Sequence, residues 1–150
     1  MIINRKDENR VLGTQVNRVG NYVLKVDKVE SDGTTSQGDI KIKFSFTCLD
    51  VNDLNGERYT HSESFPLTGK ASFLINNFEE AMKCPDEYNA DSLIGRYVLA
   101  TFAENKYTDK NGSEKINYKV TKWDYSSKND KLPPITANAS DVEDSEDIPF

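Results

Sequence analysis

The side chains of this sequence best suited to chemistry are ring faces and ammonium groups, not acids, bases or thiols set out for catalysis. Tyr59, Tyr97, Tyr107 and Trp123 offer planar π faces, and Lys41, Lys43, Lys106, Lys110, Lys115 and Lys119 offer cations. Rings interleaved with cations suit a polyanion that carries flat bases, where each stacked base contributes about 1–3 kcal/mol. Catalytic patterns fail on inspection. The single histidine, His61, falls in a polar segment and is expected at the surface. Cys48 and Cys84 form no C-x-x-C pair, which excludes a zinc knuckle and a disulfide scaffold. Leu67-Thr68-Gly69-Lys70-Ala71 has the end of a phosphate-binding loop, but Ser64 stands where the first glycine belongs and Ala71 where a hydroxyl would hold Mg²⁺. Residues 50–56 carry carboxylates and amides, yet Leu54 falls on a ligand position and no Glu closes a calcium loop. No enzymatic activity, metal or cofactor is expected.

The elements that must position these residues are mostly strands. The 150 residues suit one domain, and their formal charge of −6 is unevenly spread. Residues 136–150 hold Asp141, Glu143, Asp144, Glu146 and Asp147 with no Lys or Arg, so the body is close to neutral. No apolar h-region opens the chain and no run approaches ~18 apolar residues, which points to a soluble protein of a reducing compartment, with a cytoplasmic location and no membrane contact. Residues 1–19 read as a loose N-terminal arm. In the segment after Gly20, Tyr22, Leu24 and Val26 alternate while Val23 and Val29 fall out of phase, so a bulge or two-sided burial is expected. Residues 31–38 read as a loop. Ile40, Ile42, Phe44, Phe46 and Cys48 then alternate with Lys41, Lys43, Ser45, Thr47 and Leu49, a strand with one face in a core. Residues 52–56 read as a turn and 58–65 as a third, more exposed strand.

The period then changes. Ala71, Leu74, Ile75, Phe78, Ala81 and Met82 make one helical stripe, with Thr68 as the expected N-cap and Pro85 ending it by about Cys84. Val98, Ala100 and Phe102 mark a fourth strand. Ile116, Tyr118 and Val120 mark a fifth, the two joined by a loop over about 104–115 with turn chemistry at Asp109-Lys110-Asn111-Gly112. Beyond Tyr125 the chain is too polar to repay ordering, so 126–150 is expected to be disordered.

Strand, strand, strand, helix, strand, strand is the order of an all-β OB-fold, a small Greek-key barrel, here over residues 20–125. Such barrels hold nucleic acid across strands two and three and between the loops joining strands one to two and four to five. Placing side chains by face sets Lys41 and Lys43 opposite the core on the second strand. Tyr97, Asn117, Lys119 and Trp123 fall out of phase with the core on the last two, Tyr59 is a stacking candidate on the third, and the long loop adds Lys106, Tyr107, Lys110 and Lys115.

The chain ends Asp144-Ser145-Glu146-Asp147-Ile148-Pro149-Phe150, which closely resembles the C-terminal tip of bacterial single-stranded DNA-binding proteins. That resemblance implies that Asp147, Ile148, Pro149 and Phe150 dock onto replication, recombination and repair proteins, the Phe side chain entering an apolar pocket and its carboxylate meeting basic residues. An apolar tip also defeats a purely solubilising purpose. The body is similar to phage-encoded single-stranded DNA-binding proteins. The likeness lies in Gly20-Asn21-Tyr22-Val23-Leu24, Leu93-Ile94-Gly95-Arg96-Tyr97-Val98, Glu104-Asn105-Lys106-Tyr107, Asn111-Gly112 and Asn117-Tyr118-Lys119-Val120 with Trp123. Together these imply a sequence-tolerant binder of single-stranded DNA in the host cytoplasm, with homo-oligomerisation through strand edges left open. The alternatives are an OB-fold protein-interaction adaptor and a nuclease or strand-annealing accessory of recombination.

Overall fold

The computed structural model of the chain describes residues 14–52 and 56–135; most of the expected arm, residues 53–55 of the expected turn, and 136–150 with the acidic run and tip lie outside the described residues. The described chain is mostly β. Its strands are β1 (Thr14–Gln15), β2 (Gly20–Thr34), β3 (Ile40–Asn52), β4 (Arg58–Pro66), β5 (Tyr97–Thr108) and β6 (Glu114–Tyr125), and its α-helix is α1 (Phe73–Met82) between β4 and β5. Short 3₁₀ turns span Lys70–Ser72, Ala90–Leu93 and Ser127–Lys131.

Period-two patterning builds the sheet. Phe44, Phe46 and Cys48 on β3, Tyr22, Leu24 and Val26 on β2, and Val98, Ala100 and Phe102 on β5 are all buried. The central strand, β2, pairs antiparallel with both β3 and β5. Its register slips between Val26 and Lys28, the extra residue being Asp27, and this bulge returns Val29 to the core phase opposite Phe44. The five long strands form one antiparallel sheet in the order β4-β3-β2-β5-β6. A strand the sequence reading omits, β1, extends that sheet by a parallel contact of Thr14 with Tyr59 and Gln15 with Thr60. The sheet is open, since among the described residues no backbone ladder joins β4 to β6.

Three segments differ from the sequence expectation. The first half of the loop expected over 31–38 is strand: β2 runs to Thr34, and the turn closes with Thr35 N–H donating to the Asp39 carbonyl at 2.8 Å. Likewise the loop over 104–115 is a hairpin whose turn is 109–113, because Asn105, Tyr107, Lys115 and Asn117 pair across it as strand residues. The segment after Tyr125 is folded as far as Ile135. Asn129 is buried, and its amide holds the edge of β5 as a strand would: Tyr97 N–H donates to Asn129 Oδ1 at 2.8 Å, and Asn129 Nδ2 donates to the Tyr97 carbonyl at 2.6 Å.

The helix begins later than its expected cap. Thr68 Oγ1 donates to Asp39 Oδ1 at 2.8 Å instead, and Gly69 turns the chain at φ 85° with Asp39 crowding the place a Cβ would take. Ser72 Oγ donates to the Gly69 carbonyl at 2.7 Å and α1 starts at Phe73. The helix ends at Lys83, which is left-handed at φ 58° and lies two residues before Pro85. Ile75, Phe78, Ala81 and Met82 face the sheet.

Phe78 is the centre of the core. Its ring lies 4.9 Å from Phe44, 5.9 Å from Phe46, 5.3 Å from Phe65 and 5.0 Å from Trp123, centroid to centroid. Those partners come from β3, β4 and β6, so one helical side chain bridges the two ends of the open sheet. Replacing Phe78 with Ala is expected to lower unfolding free energy by about 3–5 kcal/mol. Phe73→Ala, on the exposed side of the same helix, should change it by no more than about 0.5 kcal/mol. Urea titrations of the two variants check both values.

Candidate nucleic-acid interface

Side chains pointing away from the core make the outer face of the sheet. Lys41 and Lys43 occupy it on β3, level with Glu30 to Ser31 and Thr34 of β2. Both meet acids: Lys41 lies 3.8 Å from Asp32, and Lys43 lies 3.9 Å from Glu30, which also meets Lys28 at 3.6 Å. A hydrogen bond from Ser64, with help from Lys41 and Lys43, holds the Asp32 carboxyl below its usual range. This end of the face is charged but internally balanced. Further along, Thr47 donates to Asp27 and the Val23 N–H donates to Asp50 at 3.0 Å.

Tyr97 is half-buried on the same face of β5, directly opposite Lys25 of β2. Sequence reasoning missed Lys25, because the bulge at Asp27 hides which phase of β2 is outward. The period of Tyr22, Leu24 and Val26 alone, taken without the residues beyond it, identifies Lys25 as outward.

The β5–β6 hairpin carries the other cluster. Tyr107 pairs with Lys115, Asn105 with Asn117 and Ala103 with Lys119 on the outward face, and Asn105 Nδ2 donates to Asn117 Oδ1 at 2.8 Å. Tyr107 is 44% exposed. Lys106 stands on the opposite face, across from Ile116, and Lys110 sits in the turn. Asp109 Oδ1 fixes that turn by accepting the Asn111 and Ser113 N–H groups, each at 2.9 Å. Among the described residues, Lys106, Lys110, Lys115 and Lys119 form no ion pair. The expected residues therefore form two clusters, one at each end of the sheet, joined by Lys25 and Tyr97. Along the strands the path between them is roughly 50 Å.

Two expected stacking residues belong to the core instead. Tyr59 is 1% exposed, with its hydroxyl donating to Asn17 Oδ1 at 2.9 Å and its ring edge-on to Tyr22. It shares the inward phase of β4 with Phe65, a parity visible in the sequence but masked by the polar residues between them. Trp123 packs on Phe46, Phe65 and Phe78. Its phase was misjudged because the β5–β6 register slips at Thr121, and one extra residue moves every later side chain to the other face. The same slip brings Lys122 outward, beside Asp124 at 3.7 Å. His61 is not a surface residue either. Its ring packs edge-on to Phe102 at 4.9 Å, and Nε2 shares a 2.8 Å hydrogen bond with Glu63 Oε1.

The inner side of the open seam forms a cleft of about 690 Å³ between β4 and β6, lined by Val16, His61, Glu63, Leu74, Ile116 and Val120. A neighbouring cleft of about 460 Å³ between α1 and β6 shares Leu74 and Val120 with it. Among the described residues, no cluster of three or more His, Cys, Asp or Glu is placed to hold a metal ion. Among them too, no helix is long and apolar enough to cross a membrane. No protein-family model matches the chain, and no curated protein matches it.

Behind the sheet, Cys84 lies beside Glu79 and Arg96. Burial first, and then the Glu79 carboxylate, push its thiol from the usual value near 9 up to about 12. Burial and its hydrogen bond to Glu79 also raise the Tyr88 hydroxyl. Both groups are held neutral by the fold, so their contribution to stability is complete below pH 9. That of Cys84 is lost as pH rises from 9 through its folded value near 12, and that of Tyr88 only at still higher pH. The melting temperature is expected to fall over that window, with a shallower fall in Cys84→Ala. Thermal melts at stepped alkaline pH test this.

Proposed function

We propose that this chain binds single-stranded DNA without sequence specificity, through an OB-type barrel during phage replication or recombination, and recruits partner proteins through residues 147–150. The connectivity supports the barrel reading. A three-strand meander, a helix and a two-strand hairpin are joined by a central strand pairing on both sides, and the seam between β4 and β6 falls where an OB-fold closes. The observation that carries the proposal is the hairpin. It stands exposed beyond the core, with Tyr107 directly across the ladder from Lys115 and four lysines free of ion pairs among the described residues. A ring beside unpaired cations on an exposed ribbon is what stacked bases and phosphates require.

A protein-interaction adaptor is the second reading, favoured by the exposure of Ile40, Leu67 and Phe73 near one end of the sheet.

Fluorescence anisotropy of labelled oligo-dT, with duplex competitor and a salt series, separates the two. A DNA binder takes up the strand, ignores duplex and weakens with salt. Tyr107→Ala is expected to cost about 1–3 kcal/mol of that affinity. Lys115→Gln and Lys119→Gln should each flatten the salt slope by about 0.7. No binding at low salt, with 136–150 both present and removed, overturns the DNA reading and leaves the adaptor. The acids of 136–150 are opposite in charge to the hairpin lysines on the same chain. Removing 136–150 is therefore expected to tighten strand binding, most at low salt where screening is weakest. Equal low-salt affinities of the truncated and full chains count against that competition.

A further inference from the structure

Among the described residues β6 pairs with β5 alone, so its second edge presents backbone N–H and C=O groups toward the seam. An edge of this kind is a template for another strand. Three features bear on which strand it takes. The hairpin root is exposed, Ile116 at 50%, and beyond Phe102 it projects clear of the core. Ile116, Tyr118 and Val120 share the face that looks into the seam, where Leu74 of α1 is also 43% exposed. The third feature is the order of residues along the edge.

That order is self-complementary about Tyr118. An antiparallel copy centred there sets Ile116 against Val120 and Tyr118 against Tyr118 on the seam-facing side, and Asn117 against Lys119 on the other. Neighbouring centres fail on charge. Centring on Asn117 opposes Lys115 to Lys119, and centring on Lys119 opposes that lysine to itself, and like charges directly opposite are destabilising. The bulge at Thr121 ends the regular ladder, so the matched stretch is residues 116–120.

We propose that two copies of this chain associate edge to edge through β6, antiparallel, with the two-fold axis at Tyr118. The contact is isologous, as closed dimers require. Because β6 runs from the hairpin tip toward the core, antiparallel pairing directs each tip toward the other copy's seam. Ile116 of each then lies over Val120 and beside the cleft holding Leu74. The exposed isoleucine and the unpaired edge are covered by one event, which depends on no nucleic acid.

Sedimentation velocity of the full chain without DNA, across a micromolar concentration series, reads the association. Dimer is expected, and Ile116→Lys should weaken it by at least about tenfold, with circular dichroism confirming that this exposed substitution leaves the fold intact. Symmetry gives a second readout. Opposed residues have Cα atoms about 4.5–5.5 Å apart, within the span a disulfide bridges, so Tyr118→Cys should cross-link to itself on mild oxidation. Asn111→Cys, in the hairpin turn, should not. A monomer throughout the series overturns the proposal. So does a dimer that tolerates Ile116→Lys and cross-links no better through position 118 than through 111. Either result is independent of the oligonucleotide titrations.

Discussion

The rest of this structure depends on the contact of Phe78 with rings from β3, β4 and β6. A five-stranded sheet of this connectivity has two ends, and among the described residues backbone hydrogen bonds do not join them. Phe65 near one end and Trp123 near the other reach the same helical ring, and Trp123 also lies 6.2 Å from Phe65. Each such pair adds about 0.5–1.5 kcal/mol beyond its burial, and the helix adds Ile75, Ala81 and Met82 to the same surface. Curvature is therefore held by side chains. The bulges at Asp27 and Thr121 help, because an extra residue increases local twist and bends the strand. Where the rings hold the ends without joining them, a seam remains.

The outer face is what this core leaves over. Alternation sends Phe44, Phe46 and Cys48 inward, and so sends Lys43, Ser45 and Thr47 outward whatever their use. The hairpin obeys a different constraint. Past Phe102 and Val120 only Tyr118 still meets the core, so most of both faces is wet and the residues are mainly Asn, Lys, Glu, Tyr and Thr. A two-stranded ribbon is marginal alone. This one is rooted in the sheet by its register with β2 and closed at its tip by the Asp109 carboxylate, with Gly112 at φ 80° supplying the turn.

Strand and helix identities were legible wherever one face is apolar. β3 read cleanly because alternation persists from Ile40 to Cys48, and α1 because Ile75, Phe78 and Met82 keep helical spacing. Boundaries failed where local composition competes with pairing. Residues 31–34 look like a loop, but β3 offers them partners. Residues 126–135 look disordered, but Asn129 finds the backbone of Tyr97. The candidate surface was legible only as far as parity could be trusted. Lys41, Lys43 and Lys119 face outward as alternation sets them, because no bulge interrupts their segments, whereas Tyr107 and Lys115, expected in a loop, pair as strand residues. Trp123 was misplaced by the single residue Thr121. Tyr59 was misplaced because the polar residues between it and Phe65 mask the parity that the two buried side chains share.

The two lysine clusters are not equivalent to a polyanion, and the difference follows from their partners. A phosphate approaching Lys43 meets Glu30, and one approaching Lys41 meets Asp32, so binding there exchanges one ion pair for another. Exposed pairs of this kind contribute about 0–1 kcal/mol, so the exchange is feasible, but it also leaves a carboxylate facing the new anion. At Lys115 or Lys119 the approach displaces water and diffuse counterions alone, and counterion release is the source of salt-dependent affinity. On the proposed single-strand binding, capture of a strand would begin at the hairpin, its ring and cations acting first. The Lys25–Tyr97 step would guide it toward the β3 lysines, where acids limit how tightly phosphates are held. On that proposal, capture at one end and loose retention at the other would suit a ligand that must be bound without regard to sequence and later given up.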